Sequence, residues 1–324
     1  MLNVRPDAPG PTLSDVGEDQ LLSTIFPLLP GGPGVLIGPG DDTALVSADD
    51  GSVLATTDAM VRGRDWLDEW SSGADVGAKM VAQNLADIAA MGGVPTALLV
   101  TLIADPLTSL AWVRSFTEGL AQAAGSAGVP VVGGDLSSAP AGVLVVSATA
   151  LGQCEGRAPV CRSGAQVGDV LAVSGSLGHS AAGLLLLQRG EAALAPDLVG
   201  YHLRPRPPYE QGPAAARAGA TAMIDISDGL GRDAGRIAGA SGVKVELDEV
   251  PLAEDVAQLR PAVSEVDAWR CVVEGGEEHS LLAAFPGAGQ LPSGWRRIGG
   301  IVQGSGVSLR GEPVIGGGWD HFAG

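Results

Sequence analysis

Apolar runs that end on aspartate recur along this sequence, and they constrain its fold more than any other feature. Each run has the composition of a buried strand, and a carboxylate follows where that strand would end. Ligand sites often gather at the ends of strands. The pattern therefore predicts an α/β or α+β protein whose strands bring several carboxylates together. The runs are Val35–Ile37 before Gly38–Asp42, Val53–Asp58, Val129–Asp135 and Ala222–Asp225, with Asp228 close behind the last.

The segment Gly38–Asp42 reads GPGDD and carries two adjacent carboxylates. Glycine and proline supply the unusual backbone angles of a sharp turn. The sequence therefore predicts a tight turn between two strands with Asp41 and Asp42 at its tip. Such a pair is common on protein surfaces, and only its recurrence with the other aspartates points to a site.

The charge of the chain limits its partners. A formal net charge of −18 argues against binding nucleic acid or an anionic membrane, because both need a basic face. Lys79 and Lys244 are the only lysines, and the sequence contains no GxxxxGK[ST] phosphate-binding loop. Phosphates would therefore have to be held by metal ions, backbone amides and a few arginines.

Cysteine and histidine usage points to a reducing compartment. Cys154, Cys161 and Cys271 are odd in number and irregular in spacing, which predicts packing residues without a structural disulfide. The four histidines form no zinc-binding pattern, and His179 and His321 are interpreted as structural. Residues 1–12 are expected to be a flexible lead without the apolar core of a signal peptide, so we expect a cytoplasmic protein.

Strands and helices alternate through both halves of the chain, which predicts two domains. The expected boundaries are residues 13–151 and 152–324, with the second domain opening on a polar stretch. The predicted helices are Ser14–Leu29, Asp75–Met91, Thr108–Ala127, Ser180–Gln188, Tyr209–Ala218 and Leu230–Ala240. The predicted strands beyond the runs above are Ala97–Ile103, Val143–Leu151, Asp169–Ser174, Val243–Leu247, Val272–Val273, Ser280–Phe285, Arg296–Val302 and Val307–Leu309.

The helix over 75–91 has one apolar face at helical spacing. Lys79, Gln83, Asn84 and Asp87 form its opposite side. A solvated face is the ordinary interpretation of such a side, and Lys79 is interpreted as a structural ion-pair partner. The short Asn and Asp side chains are nevertheless unusual for a helix face that only meets water.

Clusters of aspartate without neighbouring cysteine or histidine suit hard cations, Mg²⁺ above all. Mg²⁺ takes one or two carboxylates and fills its other positions with water and substrate phosphate. Such a site could perform phosphoryl transfer, which needs alignment and charge neutralisation more than a covalent nucleophile. From the residues alone, kinase-like chemistry and a structural or passive metal role, such as calcium storage, both stay open.

Motifs along nearly the whole chain resemble the thiamine-monophosphate kinase family, within the aminoimidazole ribonucleotide synthetase-like superfamily. The resemblance implies an N-terminal α/β domain that dimerises through its sheet and a C-terminal α/β domain. It also implies an enzyme that uses ATP and several Mg²⁺ ions to convert thiamine monophosphate to thiamine diphosphate by direct in-line transfer. The motifs, in order, are GPGDDTALV, TTDAMVRG, AKMVAQNLADIAAMG, GGD, CRSGAQVGD, SGSLGHSAAGL, LRPRPP, MIDISDGL, GGEE and WDHF.

The resemblance also implies roles for individual residues. In the GPGDD turn it favours Asp42 as the metal ligand and Asp41 as its support. No covalent nucleophile is implied. The implied metal ligands are Asp42, Thr56, Thr57, Asp58, Asp87, Asp135, Asp225 and Asp228; the ATP contacts are Gly134, Asp135, Arg162 and Ser227; the substrate contacts are Asp65, Glu277 and Trp319.

The sequence departs from the family pattern in two places. Asp65 stands where the family has histidine, and the family's GGEDYEL is here GGEEHSL at residues 275–281. Two alternatives stay open: another ATP-using synthetase of the superfamily, or a non-catalytic homologue that binds Mg²⁺ and nucleotide, which the departures at 277–280 would support. Synthetases that need a Cys near a Lys in the N-terminal segment are disfavoured, because residues 1–36 contain no Cys and no Lys. Those that need a C-terminal Cys are disfavoured because the sequence ends HFAG.

Overall fold

The computed structural model describes residues 11–15, 18–37, 45–287 and 290–314. Helices and strands alternate in both halves, which confirms the α/β class. Two compact units emerge from the contacts within the chain. The first comprises Met1–Ile88 and Pro95–Gln153, and the second comprises Ala89–Val94 and Cys154–Gly324.

The elements are numbered in chain order over the described residues. Short 3₁₀ turns occur at Leu13–Asp15, Phe26–Leu28 and Ala192–Leu194. The helices are α1 Glu18–Ile25, α2 Gly73–Ala90, α3 Leu110–Ser126, α4 His179–Arg189, α5 Pro196–Leu203, α6 Gln211–Arg217, α7 Leu230–Ser241, α8 Glu249–Leu259 and α9 Glu265–Glu274. The strands are β1 Val35–Ile37, β2 Leu45–Val46, β3 Leu54–Val61, β4 Val94–Ala104, β5 Val131–Ser138, β6 Leu144–Gln153, β7 Val170–Ser174, β8 Ala222–Ile226, β9 Lys244–Leu247, β10 Ser280–Phe285, β11 Arg296–Val302, β12 Gly306–Leu309 and β13 Glu312–Pro313. None of the described helices combines the length and the apolar character that a membrane crossing needs.

The main sheet of the first unit has the strand order β3-β6-β4-β5. Strands β3 and β6 are antiparallel, with Asp58 opposite Ala148, whereas β4 and β5 are parallel, with Thr101 opposite Asp135. Successive side chains of a strand point to opposite faces. On β3 this alternation puts Thr56 and Asp58 on the same face as the buried Met60, and Thr57 on the opposite, exposed face.

Helix α2 is enclosed on every side, and its polar side is not solvated as the ordinary interpretation would have it. Lys79 is 4% exposed and Asn84 is fully buried, while Gln83 and Asp87 are half-buried. Asn84 Nδ2 donates to the Met80 carbonyl at 2.9 Å. The expectation of a solvated face is wrong because tertiary packing covers this side.

Helices α2 and α3 approach so closely that their backbones touch. A Cβ on Gly77 would lie 2.3 Å from the Phe116 carbonyl oxygen, and one on Gly119 would lie 2.1 Å from that of Ala74. Real Cβ atoms do not approach oxygen so closely, so the crossing requires glycine at both positions. Beside it, the rings of Trp112 and Phe116 stack with centroids 5.5 Å apart.

The second unit is built on a sheet with the order β13-β12-β9-β11-β7-β10-β8. Its larger core includes Ile224 and Ile226 of β8 and side chains of α4, α7, α8 and α9. A smaller core includes Met223 of β8, Leu281 of β10 and Ala215 of α6. Because side chains alternate along β8, Asp225 faces the same side of the sheet as Met223.

Sequence patterns misassigned part of the second unit. The β-branched pair Val272–Val273 is not a strand, because it lies in α9 with both side chains buried. Helices α5 and α8 were not predicted from the sequence. Helix α8 contains a proline and several charges, and its buried side is formed by Leu252, Val256 and Leu259. Tertiary packing therefore overrides weak local preference at these places.

The three cysteines are free and differ in exposure, which provides a test of the fold. Cys161 is exposed, whereas burial raises the pKa of the Cys271 thiol to about 11. At pH 8 only about one thousandth of such a thiol is the reactive thiolate. We expect iodoacetamide to alkylate Cys161 in the native protein and Cys271 only after unfolding, as read by peptide mass spectrometry. Equal labelling of the two under native conditions would contradict the fold of α9.

Candidate functional site

Two loops meet at the edge of the second sheet, where β8 ends and β10 begins. The Glu277 amide donates to the Ser227 carbonyl at 2.7 Å, and the His279 amide donates to the Ile226 carbonyl at 2.8 Å. These bonds join residues 226–229 to residues 275–280. They bring together the predicted ligands Asp225 and Asp228, the predicted ATP contact Ser227 and the predicted substrate contact Glu277.

The backbone of this loop pair is unusual. Glu277 and His279 adopt positive φ angles of 56° and 54°. Such angles are rare for residues other than glycine and persist only where the surroundings enforce them. Gly276 is needed here because a Cβ on it would lie 2.5 Å from the Ser227 carbonyl oxygen. A strained loop held this firmly is typical of a functional site.

A histidine and two arginines accompany the two predicted metal ligands of this unit. Asp225 Oδ2 lies 3.2 Å from His279 Nδ1, and both residues are buried. Asp228 Oδ2 accepts a hydrogen bond from Arg236 and lies 4.0 Å from Arg232 Nε. Both sets of contacts use Oδ2, so Oδ1 of each carboxylate takes no part in them.

Asp233 supports the turn at the start of α7. Its fully buried carboxylate accepts from the amides of Asp228 and Gly229 at 3.0 and 3.1 Å and from Arg236. Burial and the nearby Asp225 carboxylate raise the pKa of Asp233 to about 6, while Arg236 opposes the shift. The turn that carries Asp228 is therefore held by a second carboxylate and an arginine.

Glu278 connects the loop to the start of α4. Its side chain is completely buried and accepts from Ser176 Oγ at 2.6 Å and from the Ser180 amide at 2.9 Å. Burial raises the pKa of Glu278, while these hydrogen bonds oppose the shift. Its neighbour Tyr201 has a pKa raised to about 12 by burial and by the Glu278 charge. Glu278, one of the departures from the family pattern, is thus a buried residue whose carboxylate is hydrogen-bonded to the start of α4.

Glu277 has its own supporting contact. Its Oε2 lies 3.4 Å from Nδ1 of His202, a buried residue whose Nδ1 also lies 3.1 Å from Ser180 Oγ. The Glu277 side chain keeps 38% of its surface exposed. The carboxylate can therefore contact a ligand while the backbone of Glu277 is held by the loop.

In the first unit, three predicted metal ligands lie around β3 and α2. Thr56 Oγ1 donates to Asp87 Oδ2 at 2.7 Å, and Asp58 follows Thr56 on the same face of β3. Thr57 lies on the other face, where its hydroxyl donates to the Ala148 carbonyl at 2.9 Å. The structure thus brings Thr56, Asp58 and Asp87 to one region and directs the Thr57 side chain away from it.

Gly134 and Asp135 lie on β5, at the opposite edge of the same sheet from β3. A Cβ on Gly134 would lie 1.8 Å from the Val100 carbonyl oxygen, so glycine is required by the approach of β4. The side chain of Asp65 accepts from the Val61 amide at 2.7 Å and closes the turn after β3. Gly134 and Asp65 therefore have structural roles beside those implied by the resemblance.

The remaining predicted residues divide into two groups. Asp41, Asp42 and Trp319 lie outside the described residues. Arg162 is exposed. The residue before it, Cys161, contacts β8, because its carbonyl accepts a hydrogen bond from the Met223 amide at 3.0 Å. Within the described ranges, no group of three or more His, Cys, Asp or Glu side chains is arranged to hold a metal ion.

Sequence reasoning missed the supporting residues Asp233, Arg236 and His202. Asp233 and Arg236 lie three residues apart on α7, a spacing that puts side chains on one helix face and could have suggested the pair. His202 carries no comparable signal, because its partners Ser180 and Glu277 are distant in sequence.

Comparisons with known proteins identify the family. Residues 40–154 match the family described as AIR synthase related protein, N-terminal domain, and residues 166–311 match AIR synthase related protein, C-terminal domain. A thiamine-monophosphate kinase of Mycobacterium tuberculosis is 45% identical over 316 residues, which are 96% of this chain and 93% of that protein. The chain belongs to the thiamine-monophosphate kinase family.

Other thiamine-monophosphate kinases agree with this assignment. That of Corynebacterium glutamicum is 36% identical, with 97% of this chain and 96% of that protein covered. The solved structure of AaThiL complexed with AMPPCP and TMP has a TM-score of 0.76 and 31% identity, and covers 97% of this chain and 100% of that chain. The family and the two-domain fold that the motifs implied are confirmed.

Proposed function

We propose that this chain transfers the γ-phosphoryl group of ATP to thiamine monophosphate, forming thiamine diphosphate and ADP. The observation that carries the proposal is identity of 45% to a thiamine-monophosphate kinase across 96% of the chain. The AaThiL complex with AMPPCP and TMP supports the same pair of substrates, because the first is an ATP analogue.

The acceptor explains why no covalent nucleophile or strong base is needed. A phosphate monoester has a second pKa near 6, so near neutral pH its oxygens are already largely deprotonated. One of these oxygens forms the new bond to the γ-phosphorus while the bond to the β–γ bridging oxygen breaks. The requirement on the protein is to align two highly charged groups and offset their repulsion.

The proposed metal is Mg²⁺, and the described donors fit it. Asp225, Asp228, Asp58 and Asp87 offer carboxylate oxygens, the ligands that Mg²⁺ prefers, and neither cysteine nor histidine would be needed. Bound Mg²⁺ would neutralise phosphate charge during transfer. The proposed ligands also include Thr56, Asp135 and, beyond the described residues, Asp42. The predicted ligand Thr57 is not retained, because its side chain lies on the opposite face of β3 and donates to the Ala148 carbonyl.

The proposed substrate contacts follow the resemblance. Gly134, Asp135, Arg162 and Ser227 would contact ATP, and Asp65, Glu277 and Trp319 would contact thiamine monophosphate. Residues 13–151 would supply nucleotide and metal ligands together with the surface for a homodimer, and residues 152–324 the rest of the substrate site. The exposed face of β3, formed by Ala55, Thr57, Ala59 and Val61, supports a dimer that forms through the sheet.

A direct assay tests the proposed reaction. We expect the purified full-length chain to convert thiamine monophosphate to thiamine diphosphate with ATP and Mg²⁺, as followed by chromatography. Excess EDTA should abolish turnover, and added Mg²⁺ should restore it, because the phosphate charges would otherwise repel each other. Folded protein that forms no product under these conditions would overturn the kinase function and favour a non-catalytic homologue.

A further inference from the structure

His279 is the residue of this region that the proposed reaction leaves without a role. The residue is 6% exposed, and its Nδ1 lies 3.2 Å from Asp225 Oδ2. We propose that His279 is a positioning residue that fixes the Asp225 carboxylate for divalent-cation binding. The inference rests on the proposed function, in which Asp225 is a metal ligand.

The placement of Asp225 explains why it needs a partner. All five residues of β8 are buried, and Asp225 is the only one of them with a charged side chain. It faces the side of the sheet that carries Met223, Leu281 and the smaller apolar core. A buried carboxylate is costly unless it is hydrogen-bonded or paired. His279 supplies such a contact from the loop that precedes β10.

The loop geometry directs His279 specifically at this carboxylate. His279 precedes β10, whose Leu281 lies opposite Asp225 in the antiparallel pair. Its backbone is left-handed and is held by a hydrogen bond from the His279 amide to the carbonyl of Ile226, the residue after Asp225. A left-handed conformation at a bulky residue is unfavourable, so the surrounding bonds and the aspartate contact must stabilise it together.

The contact also defines the proton on the imidazole. An ionised carboxylate can only accept hydrogen bonds, so in the proposed ligand role of Asp225 the His279 Nδ1 would carry the hydrogen that Oδ2 accepts. This bond engages Oδ2 and orients the plane of the carboxylate, while Oδ1 is not part of it. Ligating carboxylates are themselves usually hydrogen-bonded, and loss of such a partner typically weakens metal affinity 10–100-fold.

Direct cation binding tests the proposal independently of turnover. Mn²⁺ would be titrated into the full-length chain with saturating AMPPCP, and free Mn²⁺ would be followed by electron paramagnetic resonance. We expect His279→Phe, which removes the donor, to weaken binding 10–100-fold. We expect His279→Asn to retain affinity within about threefold, because its amide offers a donor near the Nδ1 position and asparagine tolerates the left-handed backbone.

Two further variants separate the possible outcomes. Asp255→Asn removes another buried carboxylate of this unit, paired with Arg296 at 2.7 Å, and should leave Mn²⁺ affinity unchanged. Asp225→Asn should weaken binding at least as much as His279→Phe. If Asp225→Asn has no effect, the proposed metal role of Asp225 fails. If Asp225→Asn weakens binding but His279→Phe does not, only the positioning role is overturned.

A spectroscopic readout covers the case in which His279→Phe fails to fold. In ¹⁵N-histidine-labelled protein, we expect the His279 resonances to report a protonated Nδ1 and to shift in Asp225→Asn. Assignment comes from their loss in His279→Asn. An unprotonated Nδ1 in the parent protein would overturn the proposal.

Discussion

Replacing Asp58 with asparagine is expected to lower kcat for thiamine diphosphate formation by about 10³-fold while the protein stays folded. The change removes one charge and keeps the shape of the side chain. A metal ion at a transferring phosphoryl group contributes several kcal/mol of charge stabilisation, and about 4 kcal/mol corresponds to this factor. The measurement is steady-state turnover at saturating ATP and thiamine monophosphate over a range of Mg²⁺ concentrations.

The structure supports the choice of Asp58 through its neighbours. It shares a face of β3 with Thr56, whose hydroxyl donates to Asp87 on α2 at 2.7 Å. Two residues with the proposed metal role are therefore in contact there, and Asp58 lies on the same face of the strand. Their side chains come from a strand and a long helix, and such elements hold a site more accurately than loops do.

A matched variant distinguishes loss of a ligand from loss of charge alone. Asp50 is exposed in the turn before β3 and has no proposed role in the site. Asp50→Asn should leave turnover within about twofold of the parent, because an exposed charge contributes little at a distance in salt solution. If Asp58→Asn is as active as Asp50→Asn, Asp58 is not a metal ligand.

The second large effect is on stability. Gly119→Val should destabilise the protein by about 3 kcal/mol, because the new side chain has no space at the α2–α3 crossing. A Cβ there would lie 2.1 Å from a backbone oxygen of α2, which no side-chain rotation can relieve. In a unit of this size the loss corresponds to a fall in Tm of roughly 6–12 °C. Calorimetry, with tryptophan fluorescence for the Trp112 region, measures it.

Gly125→Ala provides the comparison within the same helix. Gly125 lies in α3, is exposed, and has nothing within 4 Å of an added Cβ. Alanine favours a helix over glycine by up to about 1 kcal/mol, so this variant should be neutral or slightly stabilised. Equal Tm values for Gly119→Val and Gly125→Ala would show that the two helices do not cross as described.

Local patterns predicted those parts of the molecule that depend on short stretches of chain. The apolar run of β8, the turn after it and the helix α2 all appear where the sequence indicated. Asp225 and Asp228 as metal ligands, Ser227 as an ATP contact and Glu277 as a substrate contact meet at one sheet edge. Those roles themselves stay predictions.

Contacts between distant segments were not predictable in the same way. Asp225 and His279 are 54 residues apart, and their meeting depends on the β8–β10 register and on positive φ angles at non-glycine residues. The burial of Lys79 and Asn84 depends on what packs over α2, which periodicity does not reveal. Val272–Val273 illustrates the reverse case, in which strand-favouring residues are placed in a helix by packing.

The two left-handed residues of the 275–280 loop, Glu277 and His279, carry a backbone cost that bears on the proposed substrate contact of Glu277. Glycine at position 277 would relieve a backbone cost of about 1 kcal/mol, and Glu277 is only partly buried. A laboratory selection for heat resistance alone would therefore favour Glu277→Gly. A selection in which growth depends on product made by the enzyme would remove the same change, because the proposed substrate contact of the Glu277 carboxylate would be lost. If Glu277 contacts the substrate as proposed, a glutamate on this backbone is what selection for catalysis at the expense of stability would leave behind.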